Sequence, residues 1–211
     1  MNIKPCSEYA ILSFIEGSRT TVSNNESVEF AYLGRPIYFF SQRKSIEIGQ
    51  NEPMEPKVEN FKETRLVGKK LSMSFTNNKT VELWKSFAPR RKEIKNSAGS
   101  ELYSVELYND ASFFKNFNPM KEFEKWAAVA VEDFESIPDG MDKLVIPEGR
   151  YAVFPYKGKP SEAQGTLQYI YGTWLPNSTY EMDNRPYFAL MGEKYKGEDP
   201  DSEEEFWIPI F

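Results

Sequence analysis

The sequence predicts an α+β fold made of two copies of one unit, each running strand, loop, helix, strand, loop, strand. Three observations carry this. Segments with apolar residues at every second position recur from about residue 62 onward, and in each half a stretch with helical spacing interrupts them. The closing segment of each half carries the same Glu-x-Trp signature, Glu124-Lys125-Trp126 in the first and Glu205-Phe206-Trp207 in the second. A signature repeated at matching places indicates internal duplication, with repeat one over about residues 62–132 and repeat two over about 143–211.

The elements follow in order. Leu66 to Phe75 ends with Leu71, Met73 and Phe75 at period two, the pattern of a half-buried strand. Val81, Leu83, Trp84 and Phe87 have partial helical spacing, and Pro89 ends or kinks that helix because it lacks the N–H of the next turn. Leu102 to Tyr108 alternates again, and after a loop Glu122 to Val131 reads as a strand. The second half opens with a strand over Arg150 to Tyr156 and a Gly-Lys-Pro turn. Ser161 and Gln164 are spaced as a capping box, in which the hydroxyl satisfies a free helix N–H and Gln164 reaches back. Ala163, Leu167, Ile170 and Trp174 form one helical stripe that Pro176-Asn177-Ser178 stops. Tyr187 to Tyr195 is a strand, an acidic loop follows, and Glu204 to Phe211 is the last strand.

Residues 1–53 read differently. YAILSFIEG, VEFAYLG and PIYFFSQ suggest short strands between Ser/Asn/Gly turns, and the segment is expected to be either that or poorly ordered. Gly49 to Pro56 is a polar, Pro-containing linker, so the boundary falls between 53 and 54, where Met54 offers an alternative start. The 53 residues show no paired helices and no basic recognition helix.

Composition excludes several chemistries. The chain of 211 residues contains no histidine, which removes Ser-His-Asp and Cys-His nucleophilic sites and His-Cys zinc sites. Its single cysteine, Cys6, allows no internal disulfide, as in a reducing cytoplasm. Net charge is −6, unsuited to the phosphate contacts that drive direct nucleic-acid binding. The basic cluster Arg90-Arg91-Lys92 is short and reads as solvated helix surface; the acidic run around Asp199 lacks the grammar of a calcium loop. No apolar run approaches the ~20 residues of a membrane helix. No cofactor or metal is expected, and a cationic or neutral ligand suits the charge better than an anion.

Strand residues two apart share a face, so Glu124 with Trp126, and Glu205 with Trp207, point away from Phe206, Ile208 and Ile210. The apolar side packs on the helices. The other combines a carboxylate with indoles, a pairing that suits organic cations through charge and ring quadrupole, or general acid/base work if burial raises the carboxyl pKa. Solvated glutamates beside rim tryptophans are the plainer alternative.

The segments LVGKKLSMSF, TVELWKSFAPRRKEI, FEKWAAVAV, IPEGRYAVFPYKG, QYIYGTWLPNSTYEM and EEEFWIPI resemble the gyrase-inhibitor-like (GyrI-like) effector-binding domain, which also forms the C-terminus of AraC-type regulators and multidrug-sensing activators. The resemblance covers about residues 55–211. It implies duplicated β-α-β-β (SHS2-type) units, a curved antiparallel sheet with two main helices, and a central cleft on the pseudo-twofold with a glutamate at its heart. Glu205 matches that glutamate best and Glu193 second. The expected cleft is walled by Trp126, Trp207 and Tyr171, with Tyr108 and Tyr151 as further candidates. The implied function is a stand-alone bacterial cytoplasmic module that senses or sequesters a small hydrophobic or cationic organic ligand, with no direct nucleic-acid or membrane partner. Two alternatives stand beside it: glutamate-assisted hydrolysis of strained, cyclopropane-containing genotoxins, and a protein-interaction module acting on a topoisomerase.

Overall fold

A computed structural model describes residues 54–108, 113, 114 and 118–211, together with a two-residue backbone ladder that pairs Ala31–Tyr32 with Arg35–Pro36. The ladder belongs to a small unit, Ser18–Met54, and the larger unit carries Glu55–Phe211. The other strand expectations for residues 1–53, and Cys6, lie outside the described residues.

The larger unit holds eight strands: β1 (Lys57–Phe61), β2 (Thr64–Met73), β3 (Leu102–Leu107), β4 (Phe123–Val131), β5 (Asp142–Ile146), β6 (Gly149–Lys157), β7 (Tyr187–Met191) and β8 (Glu203–Pro209). They form one antiparallel sheet in the order β1-β6-β8-β7-β3-β4-β2-β5. Each half reads edge strand, first strand, last strand, middle strand, and the two middle strands pair at the centre. Val105 lies opposite Phe188 there, flanked by Trp126 and Trp207 in the same row. This is the duplicated β-α-β-β architecture.

Two strands escaped the periodicity. β1 and β5 are short, largely exposed edge strands, and each pairs with the opposite repeat: Phe61 with Gly149 at the start of β6, Ile146 with Thr64 at the start of β2. Only Lys62 and Glu63 join β1 to β2, a connection spanning at most roughly 11 Å. In a flat sheet those strands would lie about 29 Å apart, at roughly 4.8 Å per step. The sheet therefore curls. Its direction is fixed by Phe61, whose ring centroid lies 4.9 Å from that of Phe188 three strands away and 5.3 Å from that of Trp207.

The concave face is filled by Leu66, Tyr103, Val105, Trp126, Ile146, Tyr151, Phe188 and Trp207 from both repeats. The convex face carries the helices. α1 (Thr80–Phe87) buries Leu83, Trp84 and Phe87 against Val67, Met73, Phe123, Ala127 and Val129, then tightens at Ala88-Pro89 into a 3₁₀ run that ends at Glu93. On the concave side, Gly68 of β2 admits no larger residue, because a Cβ would stand 2.1 Å from the Ala127 carbonyl oxygen and 2.6 Å from the Ala128 Cβ of the adjoining strand.

The second helix is less regular. After a 3₁₀ turn at Pro160–Glu162, α2 (Gln164–Tyr169) passes into a π-helical stretch (Ile170–Trp174) and closes with one turn at Leu175–Asn177. Ala163, Ile170 and Trp174 are buried, with Trp174 edge-on to Phe154 at 5.1 Å, so the stripe read from the sequence is the packed one. The capping box does not form. Ser161 lies in the 3₁₀ turn, and its hydroxyl donates instead to Glu198 at 2.5 Å.

Candidate functional site on the convex face

Strand alternation decides which carboxylates meet. On β8, Phe206 and Ile208 are buried on the helix side, so Glu204 shares their side while Glu205 and Trp207 face the concavity. On β4, Trp126 faces the concavity and Lys125 the helices; on β3, Glu106 lies directly opposite Lys125.

The concave carboxylates are occupied by their own tryptophans. The Trp126 indole N–H donates to Glu124 at 2.6 Å, and the Trp207 indole N–H donates to Glu205 at 3.1 Å. Lys70 adds an ion pair to Glu124 at 3.1 Å and lies 5.2 Å from the Trp126 ring centroid. Beneath them the aromatic rings close on one another, with Phe188 stacked on Trp207 at 5.5 Å. Tyr151 donates to the Pro186 carbonyl, and burial pushes its hydroxyl pKa up.

The convex face holds a different arrangement, under the junction of the two repeats. Lys125 and Glu106 form an ion pair with side chains 11% and 15% exposed, and the Tyr108 hydroxyl donates to the other Glu106 oxygen. Tyr108 packs on Phe113, Phe114 and Phe123. Phe114, from the loop of repeat one, stacks on Tyr171 of the second helix at 4.5 Å and 16°, and Tyr171 meets Tyr187 edge-on. That stack bridges the repeats over the central strands and closes the site. Tyr171 as a residue is half-buried, yet its hydroxyl is wholly buried and has no hydrogen-bond partner among the described residues. Leaving such a group unsatisfied costs roughly 1–3 kcal/mol, so it marks a place where a ligand atom would improve the structure. Burial first, and the nearby Glu106 charge second, hold both Tyr108 and Tyr171 well above the usual phenol range.

Glu204 completes the polar set. It is 8% exposed, and burial raises its carboxyl to about 7; Lys125 pulls it partly back and Glu198 pushes it further up. Tyr195 nearby is raised to about 12 by burial and then by Glu204 and Glu198. Tyr171 sits inside the π-helical stretch, and such single-turn widenings recur at functional sites. A separate groove of about 470 Å³ opens on the outer flank of the second helix, between Pro56 and Val58 and the Trp174–Tyr180 stack; it does not include Glu106 or Glu204.

The expected site residues thus divide between two faces. Glu205, Trp207, Trp126 and Tyr151 lie on the concave side, Tyr108 and Tyr171 on the convex side, and Glu193 is exposed beyond the end of β7. They do not wall one cleft around Glu205. Sequence reasoning missed Glu106, Lys125 and Glu204. A signal was available for Glu204, which stands at i, i+2 and i+4 with Phe206 and Ile208, the side already assigned to the helices.

A duplicated half-barrel carrying two helices, with polar groups buried where the repeats meet, defines a class of ligand-binding domains. The chain belongs to the GyrI-like small-molecule-binding family, whose model matches residues 54–210. It is 28% identical over 132 residues to the transcriptional regulator BrlR of Pseudomonas aeruginosa; the match takes in 62% of this chain and 46% of that protein. The chain therefore spans less than half the length of this curated relative. Among solved structures it resembles SAV2435 bound to tetraphenylphosphonium (TM-score 0.55, 14% identity, 75% of this chain and 94% of that one). It also resembles the C-terminal domain of EcmrR (TM-score 0.53, 18% identity, 74% and 97%). At such identities the two structures establish the fold. Among the described residues no helix is long and apolar enough to cross a membrane.

Proposed function

We propose that this chain binds a small hydrophobic organic ligand at the convex junction, where its rings slot between Phe114 and Tyr171 and its polar atom meets Tyr171, Glu106 and Lys125. The observation that carries this is the orphaned Tyr171 hydroxyl, buried beside an ion pair under a single stack that takes one ring from each repeat. An aromatic pair is worth about 0.5–1.5 kcal/mol beyond its area. A ligand ring slotted between Phe114 and Tyr171 exchanges one such pair for two, so affinity comes from the added pair, the added area and the satisfied hydroxyl. The relative that holds tetraphenylphosphonium supports a multi-ring ligand. Sensing or sequestration is the corresponding role.

The test is calorimetric titration of the full chain with multi-ring aromatic compounds. Phe114→Ala and Tyr171→Ala should each weaken binding by ~10-fold or more, about 1.4 kcal/mol, and Glu205→Gln should leave it unchanged. Binding that survives both alanines and falls with Glu205→Gln would move the site to the concave face.

A second reading has its own observation. A buried carboxyl raised to about 7 suits general acid/base work near neutral pH, so Glu204 would serve if the bound compound is hydrolysed. Product formed at substoichiometric protein, and lost in Glu204→Gln, supports that reading; ligand returned unchanged removes it.

A further inference from the structure

We propose that Lys125 sets the charge selectivity of the convex site, so that it takes neutral aromatic ligands bearing a strong hydrogen-bond acceptor in preference to organic cations. This rests on the reading of the Glu106–Tyr108–Tyr171 cluster as the ligand site.

Three observations carry the proposal. First, both Glu106 oxygens are engaged, Oε1 by the Lys125 ammonium and Oε2 by the Tyr108 hydroxyl. The carboxylate's charge is balanced within the protein, and an incoming cation would stand close to an ammonium in surroundings where like charges repel more strongly than in water.

Second, the groups left over can donate. The Tyr171 hydroxyl has no partner, and Lys125 makes a single hydrogen bond among the described residues, leaving N–H groups to offer. A carbonyl, N-oxide or phosphine-oxide oxygen would satisfy them; a quaternary cation presents nothing to accept them. Glu204 does not restore a full negative charge, because a carboxyl at about 7 is half protonated near neutrality.

Third, the fold does not require a lysine there. In repeat two the equivalent cross-strand pair is Ala189 opposite Phe206, where repeat one has Glu106 opposite Lys125. One copy of the unit fills the position with an apolar ring, so the charged pair in the other belongs to the site and not to the architecture.

Two probes separate the possibilities: triphenylphosphine oxide, neutral with a strong acceptor, and tetraphenylphosphonium, a cation of similar ring content. Both are titrated into the full-length chain at pH 6.0, where a carboxyl at about 7 is largely protonated. The wild-type protein should bind the oxide ~10-fold or more tightly than the phosphonium. Lys125→Met, which leaves Glu106 uncompensated and removes a donor, should reverse the order by strengthening the phosphonium ~10-fold and weakening the oxide ~10-fold. Glu106→Gln, which leaves the ammonium uncompensated, should weaken the phosphonium further. The wild-type ranking decides even if a variant folds poorly. Phosphonium binding wild type as tightly as the oxide, and unchanged in Lys125→Met, overturns the selectivity claim; if that binding still falls in Tyr171→Ala, the site itself stands. Failure of both probes to bind wild type overturns site and selectivity together.

Discussion

The two faces of the sheet obey different symmetries. On the concave face the repeats match: Glu124 and Trp126 make the same indole-to-carboxylate hydrogen bond that Glu205 and Trp207 make, and the two tryptophans flank Val105 and Phe188 in one row. On the convex face they diverge: Glu106–Lys125 stands where the other copy has Ala189–Phe206, and a packed α-helix stands where the other copy has a π-helical turn. The features kept in both copies hold the two halves together. Those that differ gather the buried charges and the unsatisfied hydroxyl.

That contrast can be broken by mutation. The largest effect is expected on the concave side. Trp207→Ala should cost about 3–5 kcal/mol, the range for emptying a buried aromatic position, because Trp207 touches Phe61, Tyr151 and Phe188 at once. Denaturant unfolding measures it, and a loss under about 1 kcal/mol would show that the shared row is not the joint core.

The next effect is on the convex side and depends on pH. Glu204 has its carboxyl raised from 4.5 to about 7 by burial, facing Lys125, Glu198 and Tyr195. Between those values the folded protein holds a proton that the unfolded chain has lost, so stability falls as pH rises from about 4.5 to 7. The full difference is about 3 kcal/mol at 1.36 kcal/mol per pH unit. Glu204→Gln should flatten that slope and raise stability at pH 8; an unchanged slope would place the carboxyl in contact with water. The smallest effect belongs to Glu205. Glu205→Gln keeps an acceptor for Trp207 and should change stability by less than about 1 kcal/mol.

The sequence made much of the fold legible. Six of the eight strands and both helices follow from period-two and helical spacing, since those elements bury one face. β1 and β5 were hidden because edge strands are largely exposed and alternate weakly; Lys57, Val58, Glu59 and Asn60 are all exposed. The capping box failed because a tertiary partner, Glu198, competes for the Ser161 hydroxyl. The site was harder. Recurrence drew attention to Glu205 and Trp207, whereas Glu106, Lys125 and Glu204 have no counterpart to repeat. Glu106 and Lys125 meet through the β3–β4 register, and Glu204 joins them only through the central pairing of β3 with β7, which no local pattern encodes. Tyr108 and Tyr171 were found as aromatics, but their separation from Trp126 and Trp207 by the thickness of the sheet emerges only with the register.

A crystal structure of the full chain with triphenylphosphine oxide decides whether ligand binds where the repeats differ. The rings should give density between Phe114, Tyr108 and Tyr171, with the oxide oxygen within hydrogen-bond distance of the Tyr171 hydroxyl or the Lys125 ammonium. Density on the concave face, against Trp126, Trp207 and Glu205 with the Phe114–Tyr171 stack intact, would contradict it.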